Sequence, residues 1–409
     1  MNSPMGHSGD TPAAPAADPA TVPLWRCPVM ASSLEEFARS HAGLLAPHER
    51  TFLWNSLQVL AEPKDSPIDF AQGLTGNAAL SAESEPAVMA SRSGARSALL
   101  SGHAVQLKGC RPDPEAGGFP LERLPFGGDR AERTTIPFGV MTAEAVLREI
   151  LGYCFMRDRS LPYQATPLFV WEYEDRGTSL GYCLATRVAA ETRVESLLVD
   201  PGCTIGELIE AQRRGPSKAE SFVPGSEIGL RNLNLWSWVE SKARTLCGMH
   251  YGGGFRGILN SNIGNDVLPA RGQGRGDILL CDFDTFFMVE LPQKPDRAFL
   301  DAYCLECLVE VIIGSLPILQ YVDLPKGCSP ADRADILGAV YFPKSSLWRS
   351  YHRRFFASAK AAGWDLDAVD DSLGRMRRTE ACADMLAVRV LSAYYLEKFG
   401  ARTIFFPHN

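Results

Sequence analysis

Between residues 86 and 200 the apolar positions fall in short runs whose period switches from alternating to helical and back. PAVMAS, SALLSG and HAVQLKGC read as successive strands, with the small-residue stretch SRSGAR turning between the first two. In VMTAEAVLREILGYCFM the apolar residues Val146, Leu147, Ile150 and Leu151 follow helical spacing, and Thr142 is placed to cap that helix. Pro167–Glu174 and Ser179–Val188 then form a hairpin across Asp175-Arg176-Gly177. The predicted order is strand, strand, strand, helix, strand, strand.

The flanks have a different texture. Residues 1–22 are rich in Ala, Pro, Gly and Ser and read as a disordered tail. Residues 23–85 carry helical patches at Ser33–Ala42 and Glu49–Ala61, the first opened by the capping stretch Ser32-Ser33-Leu34-Glu35-Glu36. Arg111–Pro137 reads as an irregular insertion inside the β-rich part. Beyond residue 200 the pattern predicts a short helix at Thr204–Arg213, a loop at Gly215–Gly225 and a longer helix at Leu233–Met249. A buried strand at Ile278–Cys281 follows, and the chain after Glu290 is mostly helical. The reading is therefore an α+β chain. A tail (1–22) and a helical extension (23–85) precede a β-rich lobe (86–200) and a helical lobe (201–409), with a cleft between the two lobes.

Composition narrows the class without naming it. The 409 residues are 45% hydrophobic and 22% charged, ordinary for a globular protein. A formal net charge of -7 argues against nucleic-acid binding driven by a global positive field. The 11 Cys have no framework spacing, and several sit in apolar runs, which points to free thiols in a reducing, cytoplasmic compartment. Cys304 and Cys307 form a CxxC without a second ligand pair nearby. The N-terminal stretch lacks the basic and apolar regions of a signal peptide. The most apolar later run, Cys304–Val322, carries Glu306, Glu310 and Pro317, as a core helix does and a membrane span does not.

The candidate chemistry lies in FRGILNSNIGNDVLPARGQGRGDILLCDFDTF, from Phe255. Asn260, Asn262 and Asn265 precede a Gly/Arg-rich loop, and an apolar strand then ends abruptly in Asp282-Phe283-Asp284. Oxygen side chains at strand and loop ends are what a hard cation needs when it holds a nucleotide's phosphates, although Asn and Asp also favour plain turns. A carboxylate after ILLC is costly to bury unless a cation or a metal compensates it. Upstream, a small-residue hairpin tip followed by a strand bearing Lys108 can set backbone amides and one ammonium over phosphates.

These patches together resemble the selenoprotein O family, protein-kinase-like proteins that transfer AMP to proteins. QLKGC is similar to that family's QLKGS strand, and VLREILGYCFM to its helix with an IRE-(F/Y)-L-C-S-E-A-M pattern. LATRVAAETRVESL resembles the TRVA-S-H-(I/L)-R stretch. GFRGILNSNIG and DFDTF resemble the segment G-(F)-C-H-G-V-(M/L)-N-T-D-N…DYGPFGF, and GGDR at Gly127–Arg130 echoes GDGR. The likeness runs in order over about residues 86–290. It implies a protein-kinase-like two-lobed fold, with a β-rich N-lobe and a helical C-lobe.

The resemblance also implies roles. Lys108 would bind the phosphates of ATP, and Glu149 would hold its ammonium in place. Arg187 and Arg193 would reach the phosphate tail of a flipped nucleotide. Asp282, with Asn262 or Asn265, would hold Mg²⁺ or Mn²⁺. The family's T-D-N reads Ser261-Asn262-Ile263 here, so either Asn262 stands where a catalytic Asp is expected or the metal-binding Asn is shifted by one, and Asp266 or Asp284 becomes a candidate base. The expected activity is AMP transfer from ATP to protein hydroxyl groups, with a protein substrate, no nucleic acid and no membrane span. The alternatives are γ-phosphoryl transfer and an inactive pseudokinase-like binding module. With Lys108 paired to Glu149, Lys108→Ala is expected to weaken or abolish nucleotide-dependent labelling while leaving the melting temperature of the unliganded protein nearly unchanged.

Overall fold

The computed structural model describes residues 22–23, 29–58, 89–92, 97–100, 105–109, 118–121, 134–137, 141–175, 178–189, 235–257, 265–267, 278–315 and 349–372. Short strands β1 (Val22–Pro23) and β2 (Val29–Ser33) lead into α1 (Leu34–His41), and α2 (Pro47–Leu57) follows after a 3-10 turn. The predicted cap forms. The Ser33 hydroxyl accepts from the Glu36 amide, and the Glu36 carboxylate accepts from the Ser33 amide. α2 opens on Pro47, whose missing N–H is one of the orphan donors of a first turn.

Strands β3 (Met89–Arg92), β4 (Ser97–Leu100) and β5 (Val105–Lys108) occupy the three predicted runs. β6 (Gly118–Leu121) and β7 (Thr134–Pro137) pair with each other, so the stretch expected to be an irregular insertion carries a two-stranded ribbon. Their sequences, GFPL and TTIP, each carry a Pro and have no period that would mark them as strands. α3 (Ala143–Asp158) starts at Thr142, whose hydroxyl accepts from the Ala145 amide at 3.1 Å. The long hairpin β8 (Ala165–Asp175) and β9 (Thr178–Val188) matches its prediction.

All of these strands but the β6–β7 ribbon join one sheet of seven, in the order β1-β3-β4-β5-β9-β8-β2, and every pairing is antiparallel. The extension at 23–85, expected to carry helices, also contributes β2 at the edge of this sheet. VMASS shows no alternation of apolar and polar positions that would mark it as a strand by itself. It forms because the 11-residue β8 would otherwise present an unpaired edge.

α3 is buried on every side from Ala145 to Met156, including Arg148 and Glu149. The sheet, the α1–α2 pair and the segment after residue 278 all pack against it. A helix buried all round cannot leave charges facing water, so its Arg and Glu need partners from those neighbours.

The later part supplies α4 (Leu235–Tyr251), β10 (Gly254–Phe255), β11 (Asp266–Val267), β12 (Leu279–Leu280), β13 (Phe287–Met288) and α5 (Arg297–Ser315), with further helix at 349–361 and 366–372. β10 pairs with β13 and β11 with β12, both antiparallel. Phe255 stacks between His250 at 4.8 Å and Phe287 at 5.2 Å, which seats the β10–β13 pair on α4. One apolar core runs from α1 and α3 through Phe283 and Phe286 to α5 and Tyr351. The class is α+β, and no described helix is long and apolar enough to cross a membrane. The predicted helix at Thr204–Arg213 and loop at Gly215–Gly225 lie outside the described residues.

Candidate active site

The site is built where β5, α3 and the turn after β12 meet. Lys108 ends β5 opposite Leu184 of β9, on the sheet face that α3 covers. Gly109 follows at φ 89°, and a Cβ there would stand 2.4 Å from the Tyr182 carbonyl oxygen. Only glycine lets the chain leave the sheet this closely behind Lys108. The Lys108 side chain is 10% exposed.

Its ammonium donates to Glu149 Oε2 at 2.7 Å and to Asp282 Oδ1, with Asp284 Oδ2 at 3.7 Å. The pair expected from sequence, Lys108 with Glu149, is therefore in contact. The same Glu149 oxygen also accepts the Phe283 amide at 2.8 Å. Tyr153, one turn along α3, has its hydroxyl pKa pushed well above the usual value by burial and then by the Glu149 charge.

The turn that presents the two aspartates has a physical cause. Asp282 lies at φ 66°, in the left-handed region that Asp tolerates better than most residues. This reversal sends Asp282 and Asp284 toward Lys108 and Phe283 the other way, into the core. Phe283 meets α3 at Gly152, where a Cβ would lie 2.4 Å from the Phe283 Cβ, and packs edge-on to Tyr153 at 4.9 Å. The bare backbone of Gly152 is the slot that lets the turn dock.

Glu149, Asp282 and Asp284 each offer an oxygen within 4.8 Å of the others. Around one ammonium, three carboxylates leave an excess of negative charge among these four groups. All three donors are hard oxygens, the set that suits Mg²⁺ or Mn²⁺ rather than a thiophilic metal. The residues present fit a divalent cation held chiefly by Asp282 and Asp284, with Glu149 keeping Lys108.

The other expected residues fall elsewhere. Asp266 is fully buried and accepts Lys242 Nζ at 2.7 and 3.0 Å, with Arg256 Nη1 at 3.9 Å. Both its oxygens serve that pair, so it is not among the carboxylates gathered at Lys108. Burial pushes the Lys242 pKa down to about 8 against the pull of Asp266. Arg187 pairs with Val105 on β5, three positions from the Leu184–Lys108 pair. The two-residue period of a strand puts it on the opposite sheet face from Lys108, where it is exposed. Arg193 and Asn262 lie outside the described residues.

Arg256 is fully buried. It donates to the carbonyls of Cys281 and Asn265 and lies 5.6 Å over the Phe283 ring. It thus braces the turn bearing Asp282 from behind. Sequence reading gave Asp284 only a minor place and missed Lys242 and the buried partners of Arg148. The spacing of Asp284, two residues after Asp282, was the available signal. Lys242 offered none, since a lone Lys in a helix reads as solvated. Compared with known proteins, the chain matches no family model and no curated protein.

Proposed function

We propose that the chain is an ATP-dependent transferase with a protein-kinase-like arrangement, moving AMP from ATP to hydroxyl groups of a protein. The observation that carries this reading is the convergence of Lys108, Glu149, Asp282 and Asp284 from a strand, a helix and a post-strand turn. Transfer from a nucleotide phosphate calls for positioning and charge neutralisation more than for covalent chemistry. Lys108 is already desolvated and held by Glu149, so it is pre-set to donate to phosphate oxygens in exchange for its contact with Asp282. Asp282 and Asp284 would hold a divalent cation, which would supply neutralisation of the phosphate charge. The acceptor hydroxyl oxygen forms a bond to the α-phosphorus, the bond to the β-phosphate oxygen breaks, and pyrophosphate leaves while the hydroxyl proton passes to solvent.

One observation favours a second reading, γ-phosphoryl transfer. With Arg187 on the far face of the sheet, one of the two cations assigned to the phosphate tail of a flipped nucleotide is not at Lys108. Incubation of the purified protein with ATP labelled at the α- or the γ-phosphate, with Mg²⁺ or Mn²⁺, decides between them. Covalent label from the α-position only is the expected result. Label from the γ-position only identifies a kinase-type phosphotransferase, and no label from either leaves a binding module.

A further inference from the structure

Glu49 lies in the N-terminal segment, far from Lys108 in sequence, yet it is only 2% exposed. Its Oε1 accepts Arg148 Nη1 at 3.4 Å and the Met288 amide at 3.0 Å, while Oε2 accepts the Ala46 amide at 3.0 Å. Arg148 in turn donates to the Phe286 carbonyl at 2.9 Å and to Glu144 at 2.8 Å. His48 Nε2 lies 2.9 Å from the Met288 carbonyl oxygen. The segment 283–288 is therefore pegged by its backbone at Phe283 to Glu149, at Phe286 to Arg148, and at Met288 to both Glu49 and His48.

Arg148 and Glu149 are neighbours on α3 and, at about 100° apart around a helix, must face different partners. Glu149 faces Lys108 and the Asp282 turn, and Arg148 faces α2 and the far end of the same segment. α3 can hold Glu149 at Lys108 only if its buried Arg148 is also satisfied, because an unpaired buried guanidinium is strongly unfavourable. α2 supplies one of its two carboxylate partners, Glu49, beside Glu144 of α3 itself.

We propose that Glu49 is a positioning residue for the Lys108 site. Through Arg148 and Met288 it fixes the rotation of α3 and the path of residues 282–288 together, making α2 an integral part of the site. The inference rests on the proposed function only in naming what the site is for.

The test is local hydrogen exchange in the full-length protein, followed by metal binding. In Glu49→Ala, the amides of Phe283 and Met288 should exchange about tenfold faster or more, while β8 and β9 stay as protected as in the wild type. Met288 loses its acceptor directly, but Glu49 does not touch Phe283, so faster exchange at Phe283 reports the transmitted effect. Glu49→Gln keeps an acceptor for Met288 and should give a smaller change. Unchanged protection at Phe283, or an equal loss of protection in the β8–β9 hairpin, overturns the proposal. Mn²⁺ binding, followed by the spectroscopic signal of the free ion, should weaken about tenfold or more in Glu49→Ala, the usual cost of removing a group that orients metal ligands. Mn²⁺ affinity within twofold of wild type overturns the proposal as well. If the wild type itself binds no Mn²⁺, the metal reading fails, and the exchange at Phe283 still decides the positioning role.

Discussion

Lys108 and Glu149 stand 41 residues apart in the chain and 2.7 Å apart in space, and the oxygen that joins them also holds the amide of Phe283. A single carboxylate oxygen thus ties strand, helix and turn into one unit. The consequences below follow from that knot and from the buried charges around it.

Removing the ammonium should destabilise the fold. From sequence, with Glu149 as the sole expected partner, Lys108→Ala would leave the melting temperature nearly unchanged. The structure sets Asp282 and Asp284 at the same ammonium, so its loss leaves three carboxylates facing one another. Lys108→Met should therefore cost about 3–5 kcal/mol in urea unfolding at pH 7. Millimolar Mg²⁺ should return part of it, because a cation can replace the lost charge. A variant as stable as the wild type would show that the carboxylates do not depend on Lys108.

Gly152 should resist the smallest enlargement. In most helices Gly→Ala is stabilising by roughly 0.5–1 kcal/mol. At Gly152 the added methyl would meet Phe283, so Gly152→Ala should instead cost about 1–3 kcal/mol and loosen the Phe283 amide from Glu149. Denaturant midpoints and hydrogen exchange at Phe283 check both halves. Stabilisation would mean that the turn is not seated on α3.

Asp266 should behave as a structural charge. Its partner Lys242 is fully buried, so Asp266→Asn should cost about 3–5 kcal/mol by removing the carboxylate that compensates that ammonium. The double variant Lys242→Met, Asp266→Leu should recover most of the loss. If Asp266→Asn instead kept full stability and abolished nucleotide-dependent labelling, Asp266 would be the base after all.

The carboxyl of Glu306 gives a pH signature. Burial first, and then the Glu310 charge, push its pKa well above the usual 4.5. A raised folded-state value contributes stability that is fully present below the unfolded pKa and lost as pH rises through the folded one. Glu306→Gln has no proton to lose. Its stability relative to wild type should rise steadily as pH increases from about 4.5. Urea midpoints of both proteins at pH 5 and pH 8 measure this, and a gap that does not widen with pH would place Glu306 in a polar setting.

What could be read from sequence was whatever depends on near neighbours. The α3 pattern with its Thr142 cap, the β8–β9 hairpin and the strand before Asp282 are all set by local period and capping, and all appear in the structure. Lys108 and Glu149 could be paired because a resemblance linked their distant positions. What could not be read depends on contacts that no local pattern encodes. β2 becomes a strand only because β8 offers an edge. Lys242 is buried only because Asp266, 24 residues on, folds back to it. Arg187 is expected at the phosphate tail from the resemblance alone, and only the register of β5 and β9 assigns it to the other face of the sheet.

The most direct test of the nucleotide–metal site is a thermal shift with ATP and Mn²⁺ on wild type, Asp282→Asn and Asp284→Asn. A ligand that binds only the folded state stabilises it by about 2.7 kcal/mol at a hundred times its dissociation constant. The wild type should show a clear upward shift with millimolar ATP and Mn²⁺ together. Asp282→Asn should abolish that shift, and Asp284→Asn should reduce it, since both oxygens face the same ammonium. A wild type that shows no shift, or an Asp282→Asn protein that shifts as far as the wild type, would contradict the account.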